Sequence, residues 1–147
     1  KRSFIPEEHE LNPFIEQRFK ELLSANEKNK TAYEYLMLYY LLDGNLESFL
    51  ELYKNVGDYF SNPVSIYEEA ILMYGAASHT DVESEYSIST ESINRFKDFT
   101  QKIAKFKGDE HSARNFLYRE YGQSYLYYLQ FVYPRIIKPE IIKNDDY

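Results

Sequence analysis

The chain has 147 residues, about one domain by length, and its 24 acidic and 17 basic residues give a net charge of −7. This charge disfavours nucleic-acid binding, because such proteins need clustered positive charge to displace counterions from phosphates. A hydrophobic fraction of 44% is enough to form a core, and the absence of cysteine excludes disulfides, thiolate metal sites and cysteine nucleophiles.

The predicted elements are helices separated by turn signals. Asn12-Pro13 is typical of a helix start, because Asn accepts hydrogen bonds from the first free amides and Pro fits the first helical position. Gly44 and Pro134 indicate helix ends, since glycine readily adopts the left-handed conformation and proline lacks the amide hydrogen. Together with the apolar spacing, these signals predict an all-α fold of about six helices, over 13–23, 31–42, 46–60, 64–77, 90–106 and 110–132.

The two ends of the chain differ from the helical middle. Residues 1–12 lack periodicity and predict an N-terminal strap, and residues 134–147 predict a polar C-terminal tail, leaving 13–133 as a single helical domain. The longest apolar run, Tyr35–Leu42, is shorter than the about 20 residues that span a bilayer. Apolar groups surround this helix, which predicts either a buried central helix or an exposed groove or self-association face. The first residue is Lys1 rather than Met, which predicts a mature form or a piece of a longer chain.

Aromatic and apolar residues recur at a spacing of 34 residues. The set Tyr33, Leu36, Met37 and Tyr40 is followed by Tyr67, Ala70, Ile71 and Tyr74, and a third copy is Tyr118, Tyr121, Gly122 and Tyr125. This pattern resembles the tetratricopeptide repeat, which has the same period and begins W-x2-L-G-x2-Y. The resemblance implies antiparallel hairpins stacked into a right-handed α-superhelix, with a generic array of helical hairpins as the alternative. Phe49 departs from the family's small Ala, and residues 79–89, which are polar and predict a loop, interrupt the period.

The chain also resembles a narrower group of proteins. The segment around Tyr35–Leu42, the segment IYEEAILMY and the tyrosine-rich final helix are similar to the soluble C-terminal part of an uncharacterised family of bacterial multi-spanning membrane proteins with tetratricopeptide-like tails. This resemblance implies a domain tied to a membrane through its parent chain, on an unassigned side.

The repeat resemblance implies a concave groove, lined by helices two, four and six, that binds an extended partner segment. Its predicted lining residues are Glu34, Leu38, Leu41, Glu68, Leu72, Arg119 and Gln123. Glu34 and Glu68 add negative charge to an apolar centre, so a basic or apolar protein or peptide partner is expected. Only Arg119 fits a clamp for a C-terminal carboxylate, which disfavours that mode of binding. The predicted function is therefore a non-enzymatic protein–protein interaction domain.

Two alternatives to the interaction domain are a ligand or glycan module on the tyrosine-rich helix and a metal-assisted enzyme that uses His79, Asp81 and Glu83. The stripe Tyr118, Tyr121, Tyr125 and Tyr128 has helical spacing and predicts a core seam, a protein interface or a small-ligand or glycan site. His79, Asp81 and Glu83 are hard metal ligands, but their spacing is not that of a known calcium loop. Glu68 and Glu69 are neighbours about 100° apart on a helix, a poor geometry for acid–base catalysis. Without a phosphate-binding loop, nucleophile elbow or dinucleotide fingerprint, no enzyme activity, cofactor or metal is expected.

Overall fold

The computed structural model describes residues 13–137, and the regular secondary structure of this part of the chain is all helical, without a strand. The helices are α1 (Pro13–Ala25), α2 (Lys30–Leu42), α3 (Leu46–Tyr53), α4 (Ser65–Ser78), α5 (Val82–Glu85), α6 (Thr90–Ala104), α7 (Glu110–Tyr121), α8 (Tyr125–Tyr127) and α9 (Tyr133–Ile137). A 3₁₀ turn covers Val56–Asp58, and a π-helical turn, Tyr128–Val132, joins α8 to α9. The prediction of an all-α fold is confirmed. The predicted strap at 1–12 and residues 138–147 of the predicted tail lie outside the described residues.

The chain divides into two compact units, with the boundary in the sequence between Asn62 and Pro63. The single domain predicted over 13–133 thus contains parts of both. Within 13–137, no helix has the length and apolarity needed to cross a membrane.

The first unit packs α1 and α3 against α2. Tyr33 on α2 is fully buried; its ring stacks on that of Tyr59 with centroids 3.8 Å apart, and its hydroxyl donates to the Leu52 carbonyl at 2.9 Å. The Tyr40 hydroxyl donates to Glu16 at 2.7 Å and so connects α2 to α1. Gly44 adopts a φ of 68° after α2, which confirms the predicted left-handed helix end.

The second unit is built around α4, which contacts both α6 and α8. An apolar cluster lies among α6, α7, α8 and the π-helical turn, and consists of Phe99, Ala113, Leu117, Tyr121, Leu126, Tyr127 and Phe131. Gly75 lets α5 approach α4 closely, because a Cβ atom at this position would lie 2.8 Å from a methyl group of Val82. The core therefore positions the start of α6 and the start of α8 beside α4.

Several predicted boundaries are wrong. The third helix ends at Tyr53 rather than Phe60, and the segment predicted as a loop after α4 contains α5. The predicted sixth helix is broken after α7, because the Ser124 side chain accepts a hydrogen bond from the Tyr127 N–H at 3.2 Å and caps a new helix.

The helical path also continues through Pro134, where the sequence predicted a stop. The Tyr133 N–H donates to the Tyr128 carbonyl five residues earlier, so the helix widens just before the proline ring. The wider turn relieves the clash that proline makes with the preceding turn of a regular α-helix. The predicted tail therefore begins inside α9.

Candidate binding cavity

Glu68 on α4 is buried against the first turn of α6. Only 2% of the residue is exposed, and its carboxylate accepts hydrogen bonds from the Ser89 N–H at 3.0 Å and from the Ser89 and Ser92 hydroxyls, each at 2.7 Å. Ser89 is the N-cap of α6, where the helix dipole favours negative charge. Glu68 therefore connects α4 to the start of α6.

The neighbouring Glu69 makes the equivalent contact with another helix. It is 5% exposed, and its Oε1 accepts a hydrogen bond from the Tyr125 N–H, at the start of α8, at 2.9 Å. Burial raises the pKa of Glu69, while the amides of Tyr125 and Leu126 and the guanidinium of Arg95 act in the opposite direction. The two adjacent glutamates thus serve two different helix N-termini, as their predicted divergence of about 100° allows.

A surface cavity of about 330 Å³ lies beside Glu69 within the second unit. It is bordered by α4, α6, the end of α7 and the start of α8, and its lining residues are Ser65, Ile66, Glu69, Glu91, Ser92, Arg95, Glu120, Gln123, Ser124 and Tyr125. This volume is near the lower end of the roughly 300–1,000 Å³ typical of small-molecule sites. The cavity has room for one small group rather than for a folded segment.

The cavity carries three carboxylates, from Glu69, Glu91 and Glu120, and one guanidinium, from Arg95. Arg95 lies over the Tyr121 ring with 5.0 Å between its Cζ atom and the ring centroid, and its Nη2 atom is 3.7 Å from Oε2 of Glu69. The lining therefore has an excess of negative charge.

Glu120, at the end of α7, lines the cavity and belongs to a cluster of charged side chains. Glu120 accepts a hydrogen bond from the Lys102 ammonium at 2.7 Å, and Lys102 also pairs with Asp98 at 3.0 Å. Asp98 accepts a hydrogen bond from the Tyr121 hydroxyl, which lowers the pKa of Asp98 and, together with burial, raises that of Tyr121. These contacts fix α6 against α7 beside the cavity.

The predicted groove residues have mixed environments. Gln123 lines the cavity, and Glu34, Leu38 and Arg119 are exposed. Leu41, Glu68 and Leu72 are at most 3% exposed, which corrects the expectation that they present their side chains to a partner. For Glu68 the reason is its hydrogen bonds to the two serines of α6.

The predicted tyrosine stripe is divided by the break after α7. Tyr118 is 61% exposed, Tyr121 and Tyr125 are buried, and Tyr128 is half-buried. Since α7 ends at Tyr121 and α8 begins at Tyr125, the four rings do not share one helix face. Of the three predicted roles of the stripe, the core role fits Tyr121 and Tyr125.

The candidate metal ligands follow α4. His79 is the C-cap of α4 with a φ of 58°, and Asp81 and Glu83 lie at the start of α5. Within residues 13–137, no group of three or more His, Asp or Glu side chains is arranged to hold a metal ion.

Sequence reasoning did not identify Glu69, Glu91, Arg95 or Glu120 as members of one site. One available signal was charge: no Lys or Arg occurs between Lys54 and Arg95, so the chain that leads to the cavity is acidic. The meeting of α4, α6 and α7 around the cavity is a long-range feature that this local signal does not contain.

The structure thus defines a small all-helical domain with a charged surface cavity. A model for a family of unknown function, DUF6057, matches residues 1–132, and the chain belongs to this family. Neither the comparison with curated proteins nor that with solved structures found a match.

Proposed function

We propose that the chain is a non-enzymatic protein–protein interaction domain that binds a basic segment of a partner at the cavity of the second unit. The main support for this proposal is the cavity lining, which contains three carboxylates and one guanidinium. Such an excess of negative charge favours a positively charged partner and speeds its association.

The exposed part of the cavity lining supports the same partner chemistry. Glu91 and Glu120 both line the cavity and are exposed. Because these carboxylates are exposed, their contribution is expected to weaken with added salt.

The proposal includes the tetratricopeptide-like architecture and a membrane-spanning parent protein. The first is supported by burial at matching positions: Tyr33, Leu36 and Met37 on α2 are buried, as are Tyr67, Ala70 and Ile71 on α4. Support for the second is the resemblance of the sequence to soluble tails of bacterial membrane proteins. The small-ligand or glycan alternative has less support, since Tyr118 is the exposed ring among the four tyrosines of the stripe.

Site-specific photocrosslinking tests the proposed function in the complete protein. A photoreactive amino acid replaces Gln123 at the cavity, and the matched control replaces Gln101, which is exposed on α6 and does not line the cavity. We expect a discrete protein adduct from position 123 in the cells that make the protein, with the crosslinked partner peptide containing Lys or Arg. Equal adducts from both positions, or no protein adduct from position 123, would contradict the proposal.

A further inference from the structure

We infer that the cavity accepts a single Lys or Arg side chain of the partner, and that Arg95 occupies part of its place in the unbound chain. This inference rests on the proposed function and adds to it the chemical group that enters the cavity. Four features carry the inference: the buried carboxylate of Glu69, the loose contact of Arg95, the charges at the mouth, and the size of the recess.

The carboxylate of Glu69 is held by backbone amides and is paired only loosely with Arg95. Its Oε1 accepts a hydrogen bond from the Tyr125 N–H at 2.9 Å and the Leu126 amide adds a second backbone contact, whereas its Oε2 is 3.7 Å from the Arg95 guanidinium. A charge-assisted hydrogen bond between such groups has a length of about 2.7–2.9 Å. A cation that approached Oε2 more closely would therefore make a stronger contact than Arg95 makes.

Arg95 is able to give way to such a cation. Its side chain is 40% exposed, so its guanidinium can move into water at little cost. Its guanidinium also lies over the face of the Tyr121 ring, with 5.0 Å between the Cζ atom and the ring centroid.

The mouth of the cavity favours a cation of the partner over an anion. Glu91 is exposed in the first turn of α6, and Glu120 lines the cavity from α7 with Lys102 as its counterion. Ile66 and Tyr125 add apolar surface on which the aliphatic stem of a Lys or Arg side chain can lie. A volume of about 330 Å³ suits one such side chain.

The test uses two probes that differ by one charge. N-acetyl-arginine amide is titrated into the complete chain while backbone amide resonances are followed by NMR, and N-acetyl-citrulline amide is the neutral control of nearly the same shape. We expect saturable shifts at the cavity residues Glu69, Ser92 and Ser124 with the arginine probe, and much smaller shifts with the citrulline probe. Absence of saturable shifts at these residues, or equal shifts with both probes, would overturn the inference.

Matched variants test the role of each charge. Glu91→Gln is expected to weaken binding of the arginine probe about two- to fivefold, the range of a partly exposed ion pair. Arg95→Gln is expected to strengthen it by a similar factor, because it removes the competing cation. Lys97→Gln removes one positive charge outside the cavity and is expected to change binding less than twofold. Equal effects of Arg95→Gln and Lys97→Gln would overturn the displacement of Arg95.

The two proposals fail in different ways. If a protein adduct forms at position 123 but the arginine probe does not bind, the interaction function stands and the single-side-chain inference is wrong. If the probe binds with the expected selectivity but no protein adduct forms, the proposed function is wrong. If Arg95→Gln fails to fold, as judged by its amide spectrum, the arginine–citrulline pair and Glu91→Gln still decide the inference.

Discussion

Replacing Glu68 by Ala tests whether its buried carboxylate holds α4 to the start of α6. The change leaves three donors without their acceptor, namely the Ser89 N–H and the hydroxyls of Ser89 and Ser92. Hydrogen bonds to charged groups contribute about 1.5–3 kcal/mol each, and a buried donor left unsatisfied costs about 1–3 kcal/mol. Ser92 is buried, but Ser89 is partly exposed and can regain water. We therefore expect the free energy of unfolding to fall by about 3–5 kcal/mol, less than the full sum.

Urea unfolding followed by far-UV circular dichroism measures this loss. Hydrogen exchange of the α6 amides is recorded in parallel, because the two compact units need not unfold in one transition. Glu68→Gln keeps one acceptor oxygen but turns a second donor toward the serine hydroxyls, so about half of the loss is expected. Glu85→Ala, at an exposed position on α5, is the control and should change stability by at most about 0.5 kcal/mol. A loss below about 1 kcal/mol for Glu68→Ala would show that these hydrogen bonds do not hold α4 to the start of α6.

Three further changes test other contacts. Burial raises the pKa of Glu69 above its ordinary value of 4.5, so the native state binds the carboxyl proton of Glu69 more tightly than the unfolded chain does. The free energy of unfolding of the wild type therefore falls as pH rises from 4.5 through the native pKa. Urea titrations across this interval should show a smaller fall for Glu69→Gln. Tyr40→Phe removes the hydrogen bond that lowers the pKa of Glu16, so the free energy of unfolding should fall by about 1–2 kcal/mol at neutral pH. This difference from the wild type should shrink as pH falls through the lowered pKa of Glu16. Gly75→Ala places a Cβ atom 2.8 Å from a Val82 methyl group, and calorimetry should show a lower Tm that Val82→Ala in the same chain restores. A Tm unchanged by Gly75→Ala would show that α5 moves aside at no cost.

The fold class and many helix starts were predictable because their causes are local. Gly44 ends α2 in the left-handed conformation, and the turn signal that predicts this end lies in the neighbouring residues. The apolar spacing that predicts α6 likewise lies within one helix. The break after α7 was not predictable in this way. It depends on Ser124 acting as an N-cap and on Glu69, far away in sequence, accepting the Tyr125 N–H.

The candidate site was predictable only in part. The sequence spacing predicted that Glu68 and Glu69 point in different directions. The repeat resemblance placed Gln123 among the residues that face a partner. Their burial could not be read from α4 alone, because it depends on which helix N-termini pack against it. Arg95 likewise enters the site only when α6 is placed beside α4 by the core around Phe99 and Leu117. Long-range packing, rather than local pattern, therefore determines the cavity.

We propose that the negative charge of this cavity selects the partner. The decisive measurement is the yield of the crosslink from position 123 in three chains: the otherwise wild-type chain, Glu91→Lys and Glu83→Lys. Both substitutions change the net charge equally, but only Glu91 lines the cavity. We expect Glu91→Lys to abolish the adduct, while Glu83→Lys retains at least half of it. An equal loss in both variants, or an undiminished adduct in Glu91→Lys, would show that the charge of the cavity does not select the partner.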